Sequence, residues 1–336
     1  MVPVRNNVMS DEASLNAFLA GVALLKKELT NVTTKSFGIP GTPNPVSTYD
    51  VFVIGHIGAA NSAIPSNGDP MVRNAAHRGP VFLPWHRLML LSLEAHIRRV
   101  LGAPDFALPY WDWAADGDSG SPTDAAIWGS TYMGGQGDPV SDGPFGYFPG
   151  DPDSFTVRIE TGPDGEAVQA ADGNGRGLIR KFAQEPPQGW KQLPDSADVK
   201  ATLGFAPPGP IVRPEDRYDK LDFSVGSDGF RGRLEGWLPG GRPRMHNQVH
   251  LWVGGDMDPV SSPNDPVFFL HHCNVDRIWE SWMQSYTSLY APDMTAADPP
   301  YGGERIDDEL VFFGSQHYTP RNMLDVSRRY TYDHLP

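Results

Sequence analysis

The apolar positions of the chain fall into helical phase in five stretches. From Ser10, a candidate cap followed by Asp11 and Glu12, the residues Leu15, Phe18, Leu19, Val22 and Leu25 form one stripe. A second stretch, about 48–57, places Tyr49, Phe52 and His56 on one face. The third opens at Pro84, a residue suited to a helix start, and carries Leu88, Leu91, Leu93, Ile97 and Leu101. A short helix is predicted over 245–252. The fifth begins at Asp265-Pro266 and carries Phe268, Phe269, Val275, Ile278, Trp279 and Trp282. Between 114 and 227 Gly, Pro, Asp and Ser recur without period, which predicts a long irregular excursion with one short helix near 196–203. The tail after 291 is similar and ends in a strand-like Arg329-Tyr330-Thr331-Tyr332. No fixed repeat and no linker divides the chain. The expectation is one domain over 1–336, mainly α: a helix bundle with long irregular loops and a few short strands.

Composition narrows the chemistry. The 336 residues are enough for a substantial core, and nine Trp, sixteen Phe and eleven Tyr supply apolar surface to pin the Gly- and Pro-rich loops. With 41 acidic against 27 basic residues the net charge is -14, which repels nucleic acid and anionic lipid, so neither is an expected partner. No stretch approaches the roughly 20 apolar residues that span a bilayer. Positions 1–10 lack a basic region followed by an apolar one, so a soluble chain without a readable export signal is expected, its compartment open. The single cysteine, Cys273, rules out an internal disulfide framework and any site built from several thiolates.

Metal chemistry, if present, therefore rests on histidine and carboxylate. Ten histidines occur, and His56, His77, His86, His246, His250, His271 and His272 sit in two groups among apolar and aromatic residues. His246 and His250 are four apart on a predicted helix, so both imidazoles project from one face. Taken singly, any of them is more often a packed residue than a ligand; their joint arrangement points the other way. Imidazole suits Zn, Cu, Fe and Ni alike. The neighbours of the two groups are Phe82, Leu83, Trp85, Leu251, Trp252 and Phe268 rather than a bridging carboxylate, and all-imidazole ligation in an apolar pocket favours copper.

His77-Arg78-Gly79-Pro80-Val81-Phe82-Leu83-Pro84-Trp85-His86-Arg87 resembles the first copper motif of tyrosinases and haemocyanin-like type-3 copper proteins. Met245-His246-Asn247-Gln248-Val249-His250-Leu251-Trp252-Val253-Gly254-Gly255, with Ser262-Pro263-Asn264-Asp265-Pro266-Val267-Phe268-Phe269-Leu270-His271-His272-Cys273-Asn274-Val275-Asp276-Arg277, resembles the second. Leu108-Pro109-Tyr110-Trp111-Asp112-Trp113, the Val4-Arg5-Asn6 start, the stretch from Ser227-Asp228-Gly229-Phe230 to Leu234-Glu235-Gly236-Trp237, and the Tyr-Thr-Tyr-Asp ending are similar to bacterial tyrosinases, so the resemblance covers nearly the whole chain. It places the first copper motif at about 48–101 and the second at about 245–284.

The resemblance implies two copper ions, one held by His56, His77 and His86 and the other by His246, His250 and His272, with dioxygen as co-substrate and a small phenol as substrate. It implies ortho-hydroxylation of monophenols and oxidation of o-diphenols to o-quinones. The alternatives are a catechol oxidase or o-aminophenol oxidase without useful monophenolase activity and, from another class, a haemocyanin-like oxygen carrier; a zinc hydrolase is the most distant. Glu235 and Asn247 match a Glu and an Asn that hold a proton-accepting water in similar tyrosinases, although Pro239-Gly240-Gly241-Arg242-Pro243 lengthens the link between them. Asp276 is a candidate acceptor from a ligand imidazole, with a salt bridge to Arg277 or a neighbour as the alternative; Phe268 is expected to pack over the site, and Leu251 with the loop 255–261 to select substrate. His271, about 100° around the helix from His272, is expected to pack elsewhere. His96, His317 and His334 are expected at structural or surface positions, and Cys273 as a small buried neighbour. Ala75 stands where some members carry a cysteine bonded to a histidine, which excludes that thioether here. Arg5 is expected to meet Tyr330 and Tyr332 and close the domain. A copper-loading helper protein is a further implied partner.

Overall fold

The structure, a computed structural model, describes residues 2–64, 73–205, 214–219, 229–237, 244–287, 289–296, 301–311 and 317–336. Strand β1 (Val4–Arg5) leads into helix α1 (Glu12–Lys27). The cap of α1 is Asp11 rather than Ser10: the Asp11 carboxylate accepts from the Ser14 N–H, while the Ser10 hydroxyl turns back to the carbonyl of Asn7. Strands β2 (Leu29–Thr33) and β3 (Pro45–Ser47) pair antiparallel, and Ser47 then caps α2 (Thr48–Ala60). Helix α3 (Phe82–Leu101) starts two residues before Pro84, which sits in the first turn where a missing N–H costs nothing, and ends on Gly102 at φ 62°.

The long excursion is irregular, as its composition requires, but holds small elements that sequence periodicity does not reveal. These are α4 (Trp113–Asp118) and a hairpin of β4 (Ile159–Thr161) with β5 (Ala167–Gln169). The foreseen short helix is α5 (Ser196–Leu203), opened by a reciprocal cap between Asp195 and Asp198. Helices α6 (Phe230–Glu235), α7 (Met245–Val253) and α8 (Val267–Ser285) follow. The closing strand β6 (Thr331–Tyr332) pairs parallel with β1, Val4 against Thr331 and Arg5 against Tyr332.

Most buried apolar residues form one large cluster running from Val8 to Leu324, with α3 and α8 packed through its middle and α1, α2 and α7 around them, and Val81, Leu88, Leu310 and Met323 form a small second one. Trp85, Trp111, Trp113, Trp252, Trp279 and Trp282 are fully buried in or beside it. Loops without regular backbone pairing must satisfy their polar groups by other means. Here Arg180 does so: its guanidinium holds Asp265 at 2.6 and 2.7 Å and also donates to the carbonyls of Met133 and Gly134. Phe182 stacks on Trp252 at 5.1 Å, fastening the same loop to α7. The expected closure is present, with Arg5 3.5 Å above the Tyr330 ring and 5.9 Å from that of Tyr332. No helix among the described residues is long and apolar enough to cross a membrane.

Candidate metal centre

Four helices and one turn carry the histidines to one place. Helix α2 presents His56, the turn before α3 presents His77, α3 presents His86, and α7 with α8 presents His246, His250, His271 and His272. Ligand atoms of His56, His77 and His86 lie within 4.8 Å of one another, as do those of His246, His250, His271 and His272. The clusters share a wall, where the His86 and His272 rings stack 4.2 Å apart at 7°. Phe82 lies 4.8 Å from both His86 and His246, and Phe268 lies 4.2 Å from His272 and 5.2 Å from His56. Phe268 thus packs over the site as expected, and Phe82 is its counterpart from α3.

Backbone carbonyls fix the imidazole orientations. Nδ1 of His56 is 2.6 Å from the Val260 carbonyl, Nδ1 of His86 is 2.8 Å from that of Phe82, and Nδ1 of His250 is 2.6 Å from that of Met257. A carbonyl only accepts, so each Nδ1 carries the proton and each Nε2 presents its lone pair inward. Nε2 of His56 and Nε2 of His86 lie 3.4 Å apart. Nε2 of His246, His250 and His272 is buried without a hydrogen-bond partner. Buried polar atoms are nearly always paired, so this convergence of neutral lone pairs fits a metal ion. Burial holds His56 and His250 down at about 4. In His77, His86, His246, His271 and His272 burial is joined by the neighbouring imidazoles, and all five stay well below the usual imidazole value, neutral as ligands must be.

Two expectations are corrected. His271 does not pack elsewhere. Its ring lies 5.1 Å from those of both His246 and His250, and its two nitrogens are buried without partners. A 100° offset on α8 is compensated because α7 crosses on that side and presents two rings. Asp276 does not accept from a ligand imidazole. One carboxylate oxygen accepts from Arg87 at 2.6 Å, and the other from Arg5, Tyr330 and Tyr332 at 3.0, 2.6 and 2.6 Å. It faces the chain termini, and those four donors saturate it.

Glu235 is fully buried at the end of α6. Its Oε1 accepts from the backbone N–H of Arg78 at 2.6 Å and its Oε2 from Arg231 at 2.5 Å, while Arg231 also holds Asp219 at 2.9 Å. Burial pushes the Glu235 carboxyl up, against the pull of the Arg231 guanidinium. Nδ1 of His246 is 2.9 Å from Oδ1 of Asn247 and 3.3 Å from the Glu235 carbonyl, so both residues fasten that imidazole. The link 239–243 between them lies outside the described residues. Gly236, at φ 105°, is required here: a Cβ would sit 2.0 Å from the Arg244 carbonyl. The residues flanking two ligands are also in the left-handed region, Arg78 at φ 63° after His77 and Met245 at φ 48° before His246.

A cleft of about 630 Å3 opens onto the histidines, lined by Glu235, Asn247, Leu251, Val260, Arg78 and Trp237 among others. Leu251 lies on its wall. The loop 255–261 also orients two imidazoles through Met257 and Val260, a role that no side-chain signal could have disclosed because carbonyls do the work. Of the remaining residues, Cys273 is buried, and burial pushes its thiol up. His96 packs 5.7 Å from Phe52, His317 pairs with Glu309 in solvent, and His334 lies 3.2 Å from Asp333.

Residues 46–285 match the family described as the common central domain of tyrosinase. The tyrosinase of Streptomyces antibioticus is 35% identical over 85% of this chain and 89% of its own length. The grixazone synthase of Streptomyces griseus is 34% identical over 78% of this chain and 82% of its own. Among solved structures, a polyphenol oxidase from Thermothelomyces thermophila superposes with a TM-score of 0.70 at 20% identity, covering 99% of this chain and 89% of that one. A functional unit of octopus hemocyanin superposes at 0.52 and 18% identity, covering 99% and 68%. These two likenesses concern the fold. The family match and the Streptomyces identities establish that the chain belongs to the tyrosinase family, copper-dependent oxidoreductases that oxidise phenols with dioxygen as co-substrate.

Proposed function

We propose that His56, His77 and His86 hold one copper ion, that His246, His250 and His272 hold the other, and that Glu235 serves as proton acceptor for a monophenol in the adjoining cleft. The observation that carries the reading is the set of buried, partnerless Nε2 atoms aimed at one another beside a buried carboxylate. A core continuous from Val8 to Leu324 supports residues 1–336 acting as one catalytic domain. When bound, the copper pair supplies dioxygen activation and accepts electrons from the phenol.

The chain's own residues do the rest. A free phenol, with a pKa of about 10, is almost wholly protonated at neutral pH, so hydroxylation needs a base. Glu235 takes that proton, directly or across one bridging water. Its burial raises its proton affinity, while Arg231 keeps an ionised form within reach. Asn247 orients His246 through Oδ1, which leaves its amide N–H groups for the cleft. Phe82 and Phe268 hold the imidazole planes and exclude bulk water.

One observation favours the rival reading of a catechol oxidase or o-aminophenol oxidase: both Glu235 oxygens already have protein partners. Oxygen uptake with a monophenol and with the matching catechol decides between them. Turnover of both supports the monophenolase reading; quinone from the catechol alone overturns it. A copper-loading helper protein is also proposed, and the metal-free chain reaching full activity with copper salt alone would rule it out.

A further inference from the structure

We propose that Arg78 is a specificity-determining residue that receives a carboxylate on the side chain of the phenolic substrate. The inference rests on the phenol-oxidising reading of the cleft and adds to it the chemical class of phenol preferred.

Arg78 follows His77 directly and lines the cleft beside Trp237. Its guanidinium lies 4.7 Å from the centre of the Trp237 ring, half-buried, and among the described residues it has no carboxylate partner. That is exceptional around this site. Arg73 is paired with Glu304, Arg87 with Asp276, Arg231 with Asp219, and Arg277 with Asp112. The protein has acidic groups to spare, 41 against 27 basic ones, and Asp258 even lines the same cleft without forming an ion pair with Arg78.

The backbone adds an independent observation. Arg78 is held at φ 63°, a region that a long side chain occupies only under constraint and glycine occupies freely. A turn needing only this shape would be better served by glycine. Arginine here carries a planar fork of donors over an aromatic face, which presets its orientation and leaves its edge for a bidentate carboxylate. The surrounding wall is mainly apolar, so an anion there is little screened.

The test uses the full chain loaded with copper, as wild type, Arg78→Gln and Arg78→Lys. Two phenols with the same ring are compared, 3-(4-hydroxyphenyl)propionate and its amide. The wild type is expected to favour the acid in kcat/KM by roughly tenfold, mainly through KM, Arg78→Gln to abolish that preference, and Arg78→Lys to keep part of it. In parallel, calorimetry measures 3-phenylpropionate, which has no phenol to oxidise, and it should bind wild type more tightly than Arg78→Gln. The same acid-to-amide ratio in wild type and Arg78→Gln, with equal calorimetric affinities, overturns the proposal. If the loaded wild type oxidises neither phenol, the phenol-oxidising reading fails, and the calorimetric comparison still decides the role of Arg78.

Discussion

The Glu235 carboxylate accepts a 2.6 Å hydrogen bond from the backbone N–H of Arg78, the residue next to His77. The candidate base and a candidate ligand of the first metal are therefore held by one turn, although 157 positions separate Glu235 from Arg78. Replacing Glu235 by Gln keeps the shape and removes the base. Turnover of a monophenol should fall about 100-fold or more, the usual scale of general-base contributions, while catechol oxidation falls much less. Steady-state oxygen uptake on the paired substrates measures the difference; equal losses on both would assign Glu235 a structural role.

His272 and His86 stack across the two clusters, yet they are assigned to different ions. His272→Ala or His86→Ala should each lower bound copper by about half, because a site left with two imidazoles binds far more weakly. Copper per chain by atomic absorption checks this. His271→Ala is the informative control: if it lowers copper as far as His272→Ala does, the assignment of His272 as ligand is wrong.

Asp276 anchors Arg5 and Arg87 from the side of α8 away from the metals. Burial pushes its carboxyl up, but Arg87 and Arg5, with Tyr330 and Tyr332, outweigh that and hold it low. Asp276→Asn leaves two buried guanidinium groups short of an anion and should destabilise the fold by about 3–5 kcal/mol. Denaturant unfolding gives the value. Copper content of the folded fraction should not change, since none of the four donors to Asp276 comes from a histidine ring.

Glu304 gives a pH dependence with a definite sign. Burial raises its carboxyl from 4.5 to about 7 despite the Arg73 guanidinium 2.7 Å away. Between those values the folded chain binds more protons than the unfolded one, so stability falls as pH rises through the window. Compared with Glu304→Gln, the wild type should lose stability between pH 5 and pH 7 in equilibrium unfolding. A difference that does not vary across that range would show that Glu304 keeps its charge throughout.

How much was legible beforehand varies with the length of the signal. Helices α1, α2, α3, α7 and α8 followed from apolar periodicity, and α5 from its position. Helices α4 and α6, six residues each, are too short for a period to emerge, and the hairpins pair through backbone groups that have no side-chain code.

The site divides along the same line. By itself the sequence determined seven histidines in two groups and the apolar company they keep, because residue type and helical spacing are local properties. Only the tertiary structure decided which rings meet. It brought His271 into the second cluster, since a crossing helix rather than angular offset sets its neighbours. It turned Asp276 toward Arg5 and Arg87, partners 271 and 189 positions away. It also gave Val260 and Met257 their roles through carbonyls that every residue possesses, and left Arg78 the cation facing the cleft without a counter-charge among the described residues. Those outcomes depend on the packing of segments distant in the chain, which no local pattern encodes.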